Sequence, residues 1–159
     1  MPDAFLCLGV ERSRGERIRR SYVVWEENNV VPLLTLEVVS QTPGSEYDEK
    51  MNIYAQMNVL YYVVYNPDFY KRDRHEPFEV YRLVLEEYQR QAGEPFFFPG
   101  AGLGIGRSQG THNGLVREWL FWYDQQGNRF SSPEEQIVLE RQRAERLAEL
   151  LRERGIDPD

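Results

Sequence analysis

Glu37 constrains this chain more than any other residue. It is the one charge in Pro32-Leu33-Leu34-Thr35-Leu36-Glu37-Val38-Val39-Ser40, an otherwise apolar and β-branched run. Such a run reads as a buried strand. A carboxylate inside it is strongly unfavourable unless it is paired, hydrogen-bonded or holding a metal. The fold must therefore deliver a partner to Glu37. Two are available in the sequence. Lys50 lies in the helix-like stretch Gly44 to Met57, and Asp3 could share a divalent cation with Glu37.

The 159 residues suit one domain that buries a core without disulfides or a structural metal. No apolar run reaches the roughly 18–20 residues that span a bilayer. The N-terminus lacks a basic segment followed by an apolar one. These features predict a cytoplasmic protein with no membrane partner. Cys7, the single cysteine, alternates with Phe5 and reads as a small buried hydrophobe. The net charge of −7 argues against indiscriminate nucleic-acid binding, which needs a basic footprint. Basic residues do gather locally, at Arg12, Arg14, Arg17, Arg19 and Arg20 and again at Lys71, Arg72 and Arg74. Both clusters read as solvated loops.

Residues 4–10 alternate apolar residues on both faces and predict a central strand. Arg12 to Arg20 predicts an exposed connection, and Ser21 to Trp25 a short strand or turn. Val30 to Ser40 is the next strand, ended by a loop over Gln41 to Ser45 that contains Pro43 and Gly44. Ser45 is a predicted N-cap, followed by acids in the first helical turn. Lys50 and Tyr54 then share one helical face. Leu60 to Tyr65 predicts a strand stopped by Asn66-Pro67-Asp68. Phe78 to Leu85 and Glu87 to Gln91 predict a hairpin. Phe96 to Ile105 is another extended piece, and Leu115 to Tyr123 a strand closed by a turn at Asp124 to Asn128. Ser132-Pro133-Glu134-Glu135 opens a C-terminal helix that runs to Arg154 and stops at Gly155. Ile137, Ala144 and Leu151 recur at sevens on it, joined by Leu147 and Leu150. This amphipathic helix is expected to dock on its own domain or on a second subunit. The expected organisation is a domain over 1–131 and the helix over 132–159.

Two apparent motifs fail on spacing. The glycines from Gly100 to Gly106 miss the dinucleotide pattern, lack a following Lys-Ser/Thr and precede strand-like sequence. His75 and His112 lie in polar loops without ligand-spaced companions, which argues against zinc and against a Ser-His-Asp set. Asp3, Glu37 and Lys50 remain. If their strands pair, the two carboxylates meet at one sheet edge, and hard oxygen ligands suit Mg²⁺. Lys50 beside such a centre could orient or activate a water attacking a phosphate. The competing reading is a buried Glu37–Lys50 ion pair joining strand to helix.

An ordered series of short motifs carries a resemblance over most of the chain. It comprises Pro2-Asp3, Arg19-Arg20-Ser21-Tyr22, Trp25-Glu26-Glu27 and Glu37-Val38-Val39-Ser40. Lys50 with Tyr54, Asn58-Val59, Tyr61-Tyr62-Val63-Val64 and Asn66-Pro67 follow in order. The series continues more loosely through Tyr81-Arg82-Leu83, Leu103-Gly104-Ile105 and the C-terminal helix. In this it resembles the Uma-two family of the PD-(D/E)XK restriction-endonuclease-like superfamily. The resemblance implies an α/β (α+β) fold, with a mixed central sheet flanked by helices and a C-terminal amphipathic helix. It implies metal-dependent DNA hydrolysis, with Mg²⁺ or Mn²⁺ on Asp3, Glu37 and the Val38 carbonyl. Val39 occupies the place of the superfamily's catalytic lysine, and Lys50 is its stand-in, with Tyr54 and Glu46 or Asp48 nearby. Catalysis is thus expected from Asp3, Glu37 and Lys50, on DNA, in a homodimer. Family members carry a helix ahead of the first Pro-Asp, so the chain reads as an N-terminally short member. The alternative expectation is an inactive relative serving as a dimerisation or accessory module.

Overall fold

The computed structural model describes residues 1–155 except 12, 15, 16, 19–21 and 43, with backbone alone at 13, 14, 17 and 18. Arg12, Arg19, Arg20, Ser21 and Pro43, and the side chains of Arg14 and Arg17, therefore lie outside the described residues, as does the end of the chain from 156. Two compact units divide the chain, Met1–Phe96 and Phe97–Asp159.

In chain order the first unit contains β1 (Ala4–Leu6), β2 (Ser13–Arg14), β3 (Arg17–Ile18), β4 (Leu34–Val38), α1 (Glu49–Gln56), β5 (Tyr61–Tyr65), α2 (Tyr70–Asp73), β6 (Phe78–Val84) and β7 (Glu87–Arg90). Five of these strands form one sheet in the order β1-β4-β5-β6-β7. The β4–β5 pair is parallel and joined through α1, and every other pair in the sheet is antiparallel. A parallel pair needs such a crossover, which explains why a helix separates two adjacent strands. This mixed sheet with its crossover helix has the restriction-endonuclease-like character expected of the sequence.

Residues 4–10 do not form the central strand. β1 ends at Leu6 and lies at the sheet edge, with Phe5 45% exposed. The centre belongs to β5, whose five residues are all buried. Apolar residues on both faces thus mark an edge strand here, because β1 has a neighbour on one side alone. The predicted connection over Arg12 to Arg20 contains the small β2–β3 hairpin. Val24–Glu26 is a 3₁₀ turn. Ser45 is not the N-cap of α1, which starts after Asp48, but its carbonyl accepts from the Lys50 N–H.

Side-chain alternation puts Thr35, Glu37 and Val39 on the α1 face of the sheet. The core there is Val39, Tyr54, Val59, Tyr62, Val64 and Tyr81, flanked by Met51, Tyr47 and Tyr88. It is rich in tyrosine, and buried hydroxyls require acceptors. Tyr62 donates to the Glu46 carbonyl and Tyr88 to that of Val59, both at 2.7 Å. Thr35 Oγ1 is the one buried side-chain polar atom without a partner among the described residues.

The second unit takes in all but the first residue of a sheet of β8 (Phe96–Phe98), β9 (Leu103–His112) and β10 (Leu115–Tyr123), in the order β10-β9-β8, followed by α3 (Pro133–Glu153). Asn113 and Gly114 turn the β9–β10 hairpin with positive φ, as a two-residue loop demands. Ser132 and Glu135 form a capping box that starts α3 where the sequence predicts it. Glu135 also pairs with both terminal nitrogens of Arg129, at 2.9 and 3.0 Å. Ile137, Leu147, Leu150 and Leu151 remain exposed along the helix.

Candidate active site

β1 and β4 run antiparallel with Ala4 opposite Leu36. One further step of that register sets Asp3 opposite Glu37, on the same face of the sheet. Asp3 Oδ2 accepts the Val38 N–H at 2.8 Å, so the acid is fastened to the strand that carries Glu37. Val39 N–H bonds across to Tyr65 on the other side of β4. Backbone polarity alternates along a strand, so the N–H and carbonyl of Val38 turn towards Asp3. Val38 itself is 40% exposed, whereas Glu37 is 1% exposed.

Both oxygens of Glu37 are engaged. Lys50 Nζ donates to Oε2 at 2.8 Å, and the Tyr54 hydroxyl donates to Oε1 at 2.7 Å. Lys50 and Tyr54 are one helical turn apart on α1, so a single helix face clasps the carboxylate. Lys50 also donates to Glu46 Oε1 at 3.0 Å. Gly44 makes room for this contact, since a Cβ there would collide with the Glu46 carboxylate. The predicted residues Asp3, Glu37, Val38, Lys50, Tyr54 and Glu46 therefore come together, whereas Asp48 is exposed at the end of the helix.

Two carboxylates, Glu37 and Glu46, thus share one ammonium, and Asp3 stands across from Glu37 on β1's side of β4. Burial opposes the charge on Lys50, but its bonds to Glu37 and Glu46 outweigh that and hold its pKa above the ordinary lysine value. Lys50 is therefore a cation at neutral pH and cannot serve there as a base. Burial, the hydrogen bond to Glu37 and its charge push the Tyr54 pKa up, with Asp3 adding to the effect. Burial and the charges of Glu37 and Glu46 do the same to Tyr62. The local field is negative.

That field suits a divalent cation. Two carboxylate oxygens offer about four lone-pair positions, so Glu37 retains capacity beside Lys50 and Tyr54. Asp3 Oδ1 makes no hydrogen bond among the described residues. With the Val38 carbonyl on the same side, the donor set is all oxygen, the type Mg²⁺ and Mn²⁺ take. Protein ligands to such an ion would be Asp3, Glu37 and Val38. No group of three or more His, Cys, Asp or Glu side chains stands ready for a metal among the described residues. A backbone oxygen and water would have to complete any such set.

A family model described as "Putative restriction endonuclease", Uma2, matches residues 1–99. The chain belongs to the Uma2 family. No curated protein and no solved structure matches it. The Uma2 match spans β1, β4, α1 and β5, the elements that assemble Asp3, Glu37 and Lys50.

A second polar cluster escaped the sequence reading. Glu79, on β6, is 3% exposed and aligns with Glu37 across Val64 of β5. Its Oε2 meets His75 Nδ1 at 3.0 Å and the Tyr81 hydroxyl at 3.1 Å, and Arg90 Nη1 lies 3.3 Å from Oε1. Glu79 alone, not its partners, leaves a signal in the sequence. Phe78-Glu79-Val80-Tyr81 shows the same single acid in an apolar strand as the Glu37 run, with His75 four residues before it.

Proposed function

We propose that this Uma2 chain is a metal-dependent DNA endonuclease. Asp3, Glu37 and the Val38 carbonyl hold Mg²⁺ or Mn²⁺, and Lys50 stands beside the ion. The observation that carries the reading is the opposition of Asp3 and Glu37 across β1 and β4, with the Lys50 ammonium held between Glu37 and Glu46.

A divalent ion at that position would supply charge stabilisation for a phosphate and a more acidic water. The chain's own residues do the remaining work. The Tyr54 hydroxyl holds one Glu37 oxygen in place, which fixes the carboxylate before substrate arrives. Lys50 keeps its proton and therefore acts by electrostatics, countering negative charge on the phosphate and orienting water. Glu46 fixes the ammonium from the other side. Val39 is buried and apolar, so the lysine expected at its place in the superfamily has its counterpart on α1.

DNA is the proposed substrate, cut in the cytoplasm by two copies of the chain. Among the described residues no helix is long and apolar enough to cross a membrane. The exposed heptad residues of α3, including Ile137, Leu147 and Leu151, support association with a second copy. In that arrangement 1–131 is the catalytic domain and 132–159 the association helix. Removing residues 133–159 should then lower the mass seen in sedimentation, and an unchanged mass would contradict the dimer.

Thermal unfolding with and without Mn²⁺ tests the metal centre. The parent should gain stability as Mn²⁺ is raised, because a ligand of the folded state shifts unfolding by mass action. Asp3→Asn and Glu37→Gln should each remove most of that gain. An equal gain in all three proteins would place the ion elsewhere.

A further inference from the structure

Two residues along the strands from Asp3 and Glu37, Phe5 of β1 stands opposite Thr35 of β4. Side chains two residues apart share a sheet face, so this second pair lies on the α1 side, about 7 Å from the first. A cavity of about 270 Å³ opens there. Phe5, Tyr22, Thr35, Lys50, Ile53 and Tyr54 are among the residues that line it. Lys50 and Tyr54 also hold Glu37, so the cavity and the candidate metal centre share these two residues.

The lining sets the chemistry of what fits. The volume falls just below the roughly 300–1,000 Å³ of pockets for drug-sized ligands, which suits one flat ring system rather than an extended chain. The Phe5 and Tyr22 rings lie 5.2 Å apart, tilted by 51°, and offer an aromatic surface. Polar groups are few. Lys50 spends two of its three N–H donors on Glu37 and Glu46, which leaves one for an acceptor. Thr35 is 1% exposed, and its hydroxyl is the buried side-chain polar group without a partner among the described residues. Such a group costs stability until something bonds to it. The matching occupant has an apolar face and a polar edge.

We infer that this cavity receives one unstacked base of the DNA substrate, from a nucleotide flanking the phosphate that is cut. A nucleobase has a π face for aromatic side chains and an edge of hydrogen-bonding groups. The inference rests on the nuclease reading and names the substrate class of the same site. A base inside a duplex is stacked and paired, and must leave the helix to enter a pocket. The preferred substrate is therefore unpaired DNA, either a single strand or a locally opened duplex. Negative supercoiling favours local opening, so a supercoiled plasmid remains a substrate.

The test is cleavage of labelled oligonucleotides with Mn²⁺. A single strand is compared with the duplex of the same sequence, and an abasic site is moved along the single strand. The parent should cut the single strand about 10-fold faster than the duplex, or more, because no base has to be unpaired. One abasic position beside the cut should slow cleavage about 5- to 100-fold, the effect of losing one stacked base. Phe5→Leu keeps apolar bulk but removes the ring. It should slow single-strand cleavage by a similar factor and abolish the abasic effect, and Phe5→Trp should restore both. Ile53→Trp fills the cavity from α1 and should act as Phe5→Leu does. Phe5 and Ile53 are each 45% exposed, so neither substitution opens the core. Stabilisation by Mn²⁺ should persist in all three variants, which reports an intact fold and metal centre.

Equal rates on single strand and duplex, or a flat abasic scan in the parent, would overturn the base pocket. Single-strand cleavage unmoved in both Phe5→Leu and Ile53→Trp would overturn it as well. Any of these results beside active cutting condemns the pocket alone. A folded parent that cuts neither DNA defeats the nuclease reading, and the pocket with it.

Discussion

Glu37 and Glu79 lie in one row of one sheet, separated by Val64, and both are almost fully buried. Their neighbourhoods differ in charge. Around Glu37, Asp3 and Glu46 add negative charge and Lys50 alone opposes it. Around Glu79, Arg90 and His75 both approach and no second carboxylate bonds to it. A buried carboxylate is thus no function in itself. What decides its chemistry is whether its partners leave the locality short of positive charge or supplied with it. The first arrangement leaves negative charge uncompensated, whereas in the second Arg90 balances the carboxylate.

The largest expected difference between the two sites is in stability. Glu37→Ala strips a buried pair of one partner and should cost about 3–5 kcal/mol in denaturant unfolding. Glu79→Ala should cost less, about 1–3 kcal/mol, because Arg90 is more exposed than Lys50 and can return to water. Equal losses would break the contrast.

Next in size are the tyrosines that hold the two acids. Tyr54→Phe removes a 2.7 Å bond to a charged oxygen and should cost about 1.5–3 kcal/mol. Tyr81→Phe removes a 3.1 Å bond from a carboxylate that has two other partners. It should cost no more than about 1 kcal/mol. A larger loss in Tyr81→Phe would show that the Glu79 network is the tighter one.

Alkaline pH should act on both sites. Burial, which outweighs a hydrogen bond from Asn66, together with nearby acids pushes the Tyr47 phenol up to about 12. An unfolded tyrosine loses its proton near pH 10. The folded state therefore holds the proton longer, and its stability is complete below about pH 10 and falls as pH rises through 12. Lys50, also raised, acts in the same direction. Unfolding followed by circular dichroism should show this loss, and a chain equally stable at both ends of that range would contradict the burial of Tyr47. The smallest effect should come from Gly44→Ala, which displaces Glu46 from Lys50 and should cost about 0.5–1 kcal/mol.

Much of this was legible before the fold was known. A lone acid in an apolar strand demands a partner, and the 3.6-residue period of a helix put Lys50 and Tyr54 on one face to meet it. Caps and turns were equally readable, as Ser132 with Glu135 and the Asn66-Pro67-Asp68 stop show. The edge position of β1 was not, because apolar residues on both faces mark a buried strand and an edge strand of this kind alike. The Glu79 cluster was missed for a different reason. His75 reads as an isolated loop residue until β6 is placed beside β5, and Arg90 reaches Glu79 through strand pairing that no local pattern encodes.

The most direct test is cleavage of plasmid DNA with Mn²⁺ by the parent chain and by Glu37→Gln. The account predicts nicking or linearisation by the parent, lost on removal of metal and lost in Glu37→Gln. Equal cutting by both proteins, or none by a folded parent that gains stability from Mn²⁺, would contradict it.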